Sequence, residues 1–239
     1  MTARLWGHRY GFASAYLGAF LAVELAYTQL NPDAQARLIA WASTNVANLE
    51  HEPAGPTVLS ALVTPGSFAV WPVLIALALF GANRALGNLR TALVCLAGHV
   101  IGSLVSEGIV AYRVDAGQLD AANRHLTDVG PSYVVVSAIV IAVICGTWLA
   151  RSLALLDFAI LVFGGHIFAG LSHLEVSAVG HLTAMLTAAA IIASIAVIAS
   201  VARREPSRRP SRPGSAHVAD QGPDQVGDPG GGGAEHQLP

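Results

Sequence analysis

The chain has 239 residues, of which 54% are hydrophobic and only 12% are charged, with a formal net charge of −2. A soluble domain normally carries about 25% charged residues, so this composition argues against an ordinary soluble domain and predicts a polytopic membrane protein in contact with membrane lipid. The small net charge gives no basis for a nucleic-acid partner. Cys95 and Cys145 both lie inside apolar blocks, so no disulfide framework is expected.

Six apolar stretches are candidates for membrane helices, because about 20 mostly apolar residues span a bilayer. They cover approximately residues 11–29, 66–83, 91–111, 131–149, 152–171 and 178–201. We therefore predict an all-α fold in which residues 1–204 form a six-helix membrane bundle. Residues 205–239 are rich in Arg, Pro, Ser and Gly, cannot bury a core, and are predicted to form a disordered tail.

The arginines predict how the bundle is oriented, because positive charge accumulates on the cytoplasmic side. One set of helix ends carries Arg4, Arg9, Arg84, Arg90, Arg151, Arg203 and Arg204. In the opposite loops, arginine is diluted by aspartate and glutamate. Both termini are therefore predicted to be cytoplasmic, in the plasma membrane, with the long loops 30–65 and 112–130 outside.

The loop at residues 30–65, called loop 1 below, is too polar to span the membrane. It nevertheless carries Trp41 and an apolar C-terminal end. We expect a structured element at the outer interface that packs beside the first and third spans and shapes the access of a substrate.

Polar side chains at membrane depth are costly and are candidate functional groups. The predicted topology places Ser132 in the first turn of the fourth span and His181 about one turn inside the outer end of the sixth. A serine becomes a nucleophile when a general base removes its proton, and imidazole is the usual base. Contact between these two spans would form a Ser-His dyad just below the outer surface.

Two small residues follow the histidine, and they favour such a contact. Ala184 and Ala188 form a small-xxx-small stripe on the helix face that His181 occupies. Stripes of this kind let membrane helices approach one another closely.

Each candidate also has a purely structural interpretation. A serine at the start of a helix usually caps it. Here Pro131, a residue favoured at the first helical position, places Ser132 inside the helix instead. An isolated intramembrane histidine is more often a hydrogen-bonded packing residue than a catalyst.

The combination resembles the rhomboid family of intramembrane serine proteases, which has a six-helix core, a Gly-x-Ser motif opening the fourth helix and a histidine in the sixth. The matching stretches here are Gly130-Pro131-Ser132 and Gly180-His181-Leu-Thr-Ala184-x-x-x-Ala188. The resemblance covers roughly residues 10–200. It implies that Ser132 is the nucleophile and His181 the general base, and that no metal or organic cofactor is required.

Several positions depart from the family pattern. Tyr133 follows the serine where the family has glycine, so the fourth and sixth spans must pack differently here. The family's two oxyanion-binding residues, a histidine and an asparagine in the second helix, fall near Ala69 and Val73, so neither donor is present. Losing one such donor can cost on the order of a hundredfold in rate.

Other groups are therefore expected to shape the oxyanion site. They are backbone N–H groups at the start of the fourth span, beside Gly130 and Tyr133, or the side chain of His99.

The function expected from this resemblance is that of an intramembrane serine endopeptidase, whose substrate is a transmembrane segment of another protein. One alternative is an inactive rhomboid-like protein that binds client transmembrane helices, which the missing donors favour. The other is a metal or proton transporter that uses polar residues without tight ligand spacing. These residues are Glu24, His99, Glu107, His166 and His173.

Overall fold

The computed structural model describes residues 3–66 and 69–204, with side chains over residues 9–66 and 69–202. Within these ranges the ordered elements are all helical, as predicted. The α-helices are Ala3–Thr28 (α1), Pro32–Ala42 (α2), Val46–His51 (α3), Ala54–Ser60 (α4), Trp71–Leu86 (α5), Asn88–Asp115 (α6), Ser132–Cys145 (α7), Trp148–Phe163 (α8) and Val176–Arg204 (α9). Short 3-10 helices lie at Ala121–His125 and Leu171–His173. The predicted tail, residues 205–239, falls outside the described residues.

Three of the described helices contain a segment long and apolar enough to cross a membrane: Arg9–Thr28, Asn88–Asp115 and Val176–Ala202. Helices α5, α7 and α8 have 16, 14 and 16 residues. At 1.5 Å per residue they extend about 21–24 Å, less than the roughly 30 Å of a bilayer's hydrocarbon core. The polytopic helical bundle is therefore present, whereas helix length alone supports three spans rather than the predicted six.

The shorter helices end at local stop signals inside the apolar stretches. Gly146 caps α7 after Cys145, and the Thr147 side chain starts α8 by accepting a hydrogen bond from the backbone N–H of Ala150. Helix α8 then ends before Gly164, although its apolar stretch was predicted to continue to residue 171. A hydropathy profile includes these residues in a span, because hydropathy does not depend on the backbone conformation.

Helix α7 lies at the centre of the bundle and packs against α5, α6, α8 and α9. Residues 133–139 are buried without interruption. A helix that is apolar all round is typical of such a fully enclosed position. The N-terminus of α7, where Ser132 lies, is thereby held in place by the surrounding helices.

Loop 1 folds into α2, α3 and α4, which confirms the prediction of a structured element. Buried carboxyl groups of the long helices bind its backbone. Glu24 on α1 accepts hydrogen bonds from the backbone N–H and the hydroxyl of Thr64. Glu107 on α6 accepts one from the backbone N–H of Val46, with an N–O distance of 3.1 Å. These bonds satisfy loop groups that are buried away from water.

We expect Glu24→Ala to loosen loop 1. The substitution leaves the buried N–H and hydroxyl of Thr64 without their acceptor, which costs about 1–3 kcal/mol of stability. Thermal unfolding and limited proteolysis of residues 43–66 measure the effect. The charge-matched control is Glu52→Ala in the same loop, because Glu52 is exposed. Equal protease resistance of the two variants would contradict the anchoring role.

Candidate active site

Ser132 is the first residue of α7, and the two residues before it fix its position. Gly130 has a φ of 137°, a conformation that favours glycine, and its N–H donates to the carbonyl oxygen of Ser60 in loop 1 at 2.7 Å. Pro131 precedes the helix, and no side-chain hydrogen bond caps it. Ser132 thus lies inside the helix and is half-buried, with its hydroxyl free of a capping role.

His181 lies in the second turn of α9 and is only 2% exposed. Its Nδ1 is 3.3 Å from the hydroxyl oxygen of Ser177, four residues earlier on the same helix. Its Nε2 is buried and has no hydrogen-bond partner among the described residues. The Ser177 hydroxyl therefore contacts one ring nitrogen, whereas the other makes no hydrogen bond within the described residues.

Ser132 and His181 line one cavity of about 540 Å³. The cavity lies between loop 1, the start of α5, the end of α8 and the N-terminal parts of α7 and α9. Further lining residues include Thr64, Trp71, Gly130 and Ser177. Among the described residues no hydrogen bond joins Ser132 to His181.

Tyr133 packs directly against the histidine. The two rings are nearly perpendicular, with centroids 4.9 Å apart, and the Tyr133 hydroxyl donates to Asp128 at 3.2 Å. Space for the phenol ring comes from Gly180, since a Cβ at that position would lie 2.1 Å from the Tyr133 oxygen. The tyrosine that replaces the family's glycine is thus accommodated by a glycine on α9. The sequence predicted Gly180 only as part of the motif around His181, and its role in making room for Tyr133 was not predicted.

Asp128, in the segment just before α7, links Tyr133 to loop 1 by hydrogen bonds. It accepts a hydrogen bond from Tyr133 and another from the hydroxyl of Thr44 at 3.1 Å. Burial raises the pKa of the Asp128 carboxyl, and the hydrogen bonds from Thr44 and Tyr133 oppose that rise. Loop 1, the start of α7 and the ring beside His181 therefore form one hydrogen-bonded unit.

Ala184 and Ala188 are both fully buried. The stripe meets α6 as well as α7: a Cβ added to Gly102 of α6 would lie 3.5 Å from that of Ala184, and one added to Gly98 would lie 3.3 Å from the Ala184 carbonyl oxygen. Small residues on both helices therefore let α6 and α9 pack closely. Gly180 of α9 in addition makes room for Tyr133 of α7.

His99 occupies a different place from the one expected of an oxyanion donor. Its Nε2 lies 3.1 Å from the Ser60 hydroxyl and 2.8 Å from the Thr57 carbonyl oxygen, both in loop 1. It is not among the residues that line the cavity. His99 therefore serves as a hydrogen-bond partner for polar groups of loop 1 that are buried against the helices.

The side of the cavity formed by α5 also differs from what the family pattern predicts. Ala69 and Val73, the positions matched to the family's oxyanion donors, are exposed and do not line the cavity. Val70, Trp71 and Leu74 line it instead. Of these three side chains only Trp71 carries an N–H group, and sequence reasoning had assigned it no role.

The remaining polar candidates do not converge. Glu24 and Glu107 bind loop 1, while His166 and His173 lie in the connection between α8 and α9. Among the described residues no group of three or more His, Cys, Asp or Glu side chains is placed to hold a metal ion. The geometry of these side chains thus gives the transporter alternative no ligand set.

A comparison with known protein families shows to which family the chain belongs. Residues 12–199 match the family described as "Rhomboid-like protein". The chain belongs to the rhomboid-like family. That family includes intramembrane serine proteases and also inactive homologues. No curated protein and no solved structure matches the chain. Family membership and the apolar helices together make this rhomboid-like chain an integral membrane protein.

Proposed function

We propose that this rhomboid-like protein is an intramembrane serine endopeptidase, with Ser132 as nucleophile and His181 as general base. The observation that carries the proposal is the shared cavity, which is lined both by the half-buried Ser132 and by His181, whose Nε2 has no hydrogen-bond partner among the described residues. No metal or organic cofactor is needed for this chemistry. The substrate is the transmembrane segment of another protein.

The proposed reaction begins when His181 Nε2 removes the proton of the Ser132 hydroxyl as its oxygen attacks the scissile carbonyl carbon. The resulting tetrahedral oxyanion accepts hydrogen bonds from backbone N–H groups in the first turn of α7, which have no intrahelical partner. The imidazolium then gives its proton to the leaving amine. A water molecule, deprotonated by His181, finally hydrolyses the acyl-enzyme ester and releases Ser132.

A second function has its own supporting observation. Among the described residues of α5 and the position before it, Val70, Trp71 and Leu74 line the cavity, and of these side chains only Trp71 carries an N–H group that could bind an oxyanion. A protein of this fold could hold client transmembrane helices without cutting them. In that case the cavity would accept an unwound helix end, and Ser132 would serve only as a polar contact.

Cleavage of transmembrane reporters in liposomes distinguishes the two functions. A panel of single-span reporters, each with helix-weakening Gly or Ala residues near its outer end, is reconstituted with the wild-type protein or with Ser132→Ala. We expect the wild type to release soluble fragments cut near that end, and Ser132→Ala to bind the same reporters and leave them intact. Reporter binding by a folded wild-type protein without any cleavage would favour the client-binding function.

The orientation proposed from the arginines places the cavity on the outer side, with both termini cytoplasmic. Single cysteines at the exposed positions Gln118 and Ala85 test it, in a background that carries Cys95→Ala and Cys145→Ala. A membrane-impermeant maleimide is expected to label Gln118→Cys on intact cells and to label Ala85→Cys only after the membrane is opened. The reverse pattern would place Ser132 at the cytoplasmic side.

A further inference from the structure

We infer that Ser177 is a positioning residue for His181, a third member that the two-residue site does not include. This inference rests on the proposed function in one respect, namely that His181 acts as a base toward Ser132. Ser177 and His181 are four residues apart on α9, a spacing that places side chains on the same helix face. Their contact joins the Ser177 hydroxyl oxygen and His181 Nδ1 at 3.3 Å.

The direction of this hydrogen bond follows from what the other ring nitrogen must do. In a neutral imidazole one nitrogen carries the proton and the other accepts one, and the partner of the first decides which. His181 lines the cavity shared with Ser132, and its Nε2 is buried without a partner among the described residues. A base there needs its lone pair on Nε2, so Nδ1 carries the hydrogen and donates it to the oxygen of Ser177.

The surroundings of Ser177 suit the role of acceptor. Its side chain lines the catalytic cavity and also a second cavity of about 470 Å³ beside Arg113 and His173. Because Ser177 is exposed, its hydroxyl can donate to water on the outer side while its oxygen accepts from Nδ1. Such chained hydrogen bonds strengthen one another.

Tyr133 also restrains the imidazole ring of His181. It packs edge-on against His181, with 84° between the ring planes, and thereby limits rotation of the imidazole. The hydroxyl of Ser177 fixes which nitrogen bears the proton, and the phenol ring fixes where the imidazole lies. In the reaction, the same Nδ1–H keeps its acceptor when His181 becomes positively charged.

The test measures the tautomer of His181 directly. Nitrogen-15 NMR of histidine-labelled protein in detergent, with the His181 signals assigned by their loss in His181→Ala, reports which nitrogen is protonated. We expect protonated Nδ1 in the wild type and in Ser177→Thr, which keeps the hydroxyl, and a mixture of tautomers in Ser177→Ala. The matched control is Ser194→Ala, because the Ser194 hydroxyl bonds its own helix at the Ala190 carbonyl.

The rate at which a fluorophosphonate probe labels Ser132 gives the second readout. Losing one neutral hydrogen bond is expected to slow labelling by about threefold to tenfold in Ser177→Ala, with little change in Ser177→Thr or Ser194→Ala. An unchanged tautomer in Ser177→Ala, or protonated Nε2 in the wild type, would overturn the inference. If wild-type Ser132 is not labelled, the endopeptidase proposal fails, and the NMR result alone still decides whether Ser177 orients the ring.

Discussion

Gly180→Ala is expected to disrupt the contact between α7 and α9 and to abolish labelling of Ser132. The new Cβ would lie 2.1 Å from the Tyr133 hydroxyl oxygen and 2.2 Å from its ring carbon Cζ, distances at which the two atoms cannot coexist. Overpacking of a tightly packed core typically costs about 1–3 kcal/mol, and here it also displaces the ring that packs on His181. Thermal unfolding and the labelling rate measure both consequences.

Gly108→Ala is the matched control, because it adds a methyl group to a helical glycine of α6 with nothing within 4 Å. Replacing Gly by Ala inside a helix is favourable by about 1 kcal/mol, so this variant should be at least as stable as the wild type. Combining Gly180→Ala with Tyr133→Ala removes the clash, so the double variant should lose less stability than the sum of the two single variants. Strict additivity would show that the two positions do not contact one another.

The second large effect is expected from His181→Ala, which removes the proposed base. A positioned general base typically contributes about 10²- to 10⁴-fold, so the labelling rate of Ser132 should fall by that factor. Fluorophosphonate labelling over time measures it in detergent, with circular dichroism to show that the helices remain.

His173→Ala provides the control for a second histidine near the outer surface. His173 ends the 3-10 helix Leu171–His173 and is exposed, and its only described hydrogen bonds are made by its backbone. The Ala variant keeps these bonds and should label at nearly the wild-type rate. Equal losses in His173→Ala and His181→Ala would contradict the assignment of His181 as the base.

Much of this arrangement could be read from the sequence, because order and depth along apolar stretches constrain where helix ends meet. Gly130 and Pro131 before an apolar run predicted a helix that begins at Pro131, one residue before the observed start at Ser132. The arginine bias and hydropathy placed His181 at a similar depth on another helix. The structure brings both residues to one cavity, although their role in catalysis remains a prediction.

Helix length was predicted less well, for a physical reason. Hydropathy cannot separate an apolar residue that faces lipid from one that faces other helices. Helix α7 is buried nearly all round, so its 14 residues read as part of a membrane span although they are too short to cross one unaided. Gly146 ends α7 and Thr147 starts α8 inside the apolar run.

The roles of the buried polar residues could not be derived from depth alone. A histidine in the membrane signals that some polar group needs a partner, but not which one. His99 proved to bind Ser60 and Thr57, because loop 1 returns over the bundle and buries backbone groups there. Contacts such as that between Gly180 and Tyr133 could not be predicted either, because they join residues that are distant in sequence.

The most direct test of the central claim is to identify the residue that a fluorophosphonate modifies. The wild-type protein is folded in detergent, treated with the probe, digested and analysed by mass spectrometry. We predict one phosphonylated serine, Ser132, and loss of that adduct in His181→Ala. An adduct on a different serine, or no adduct on a protein shown to be folded, would contradict the assignment of Ser132 and His181 as a catalytic pair.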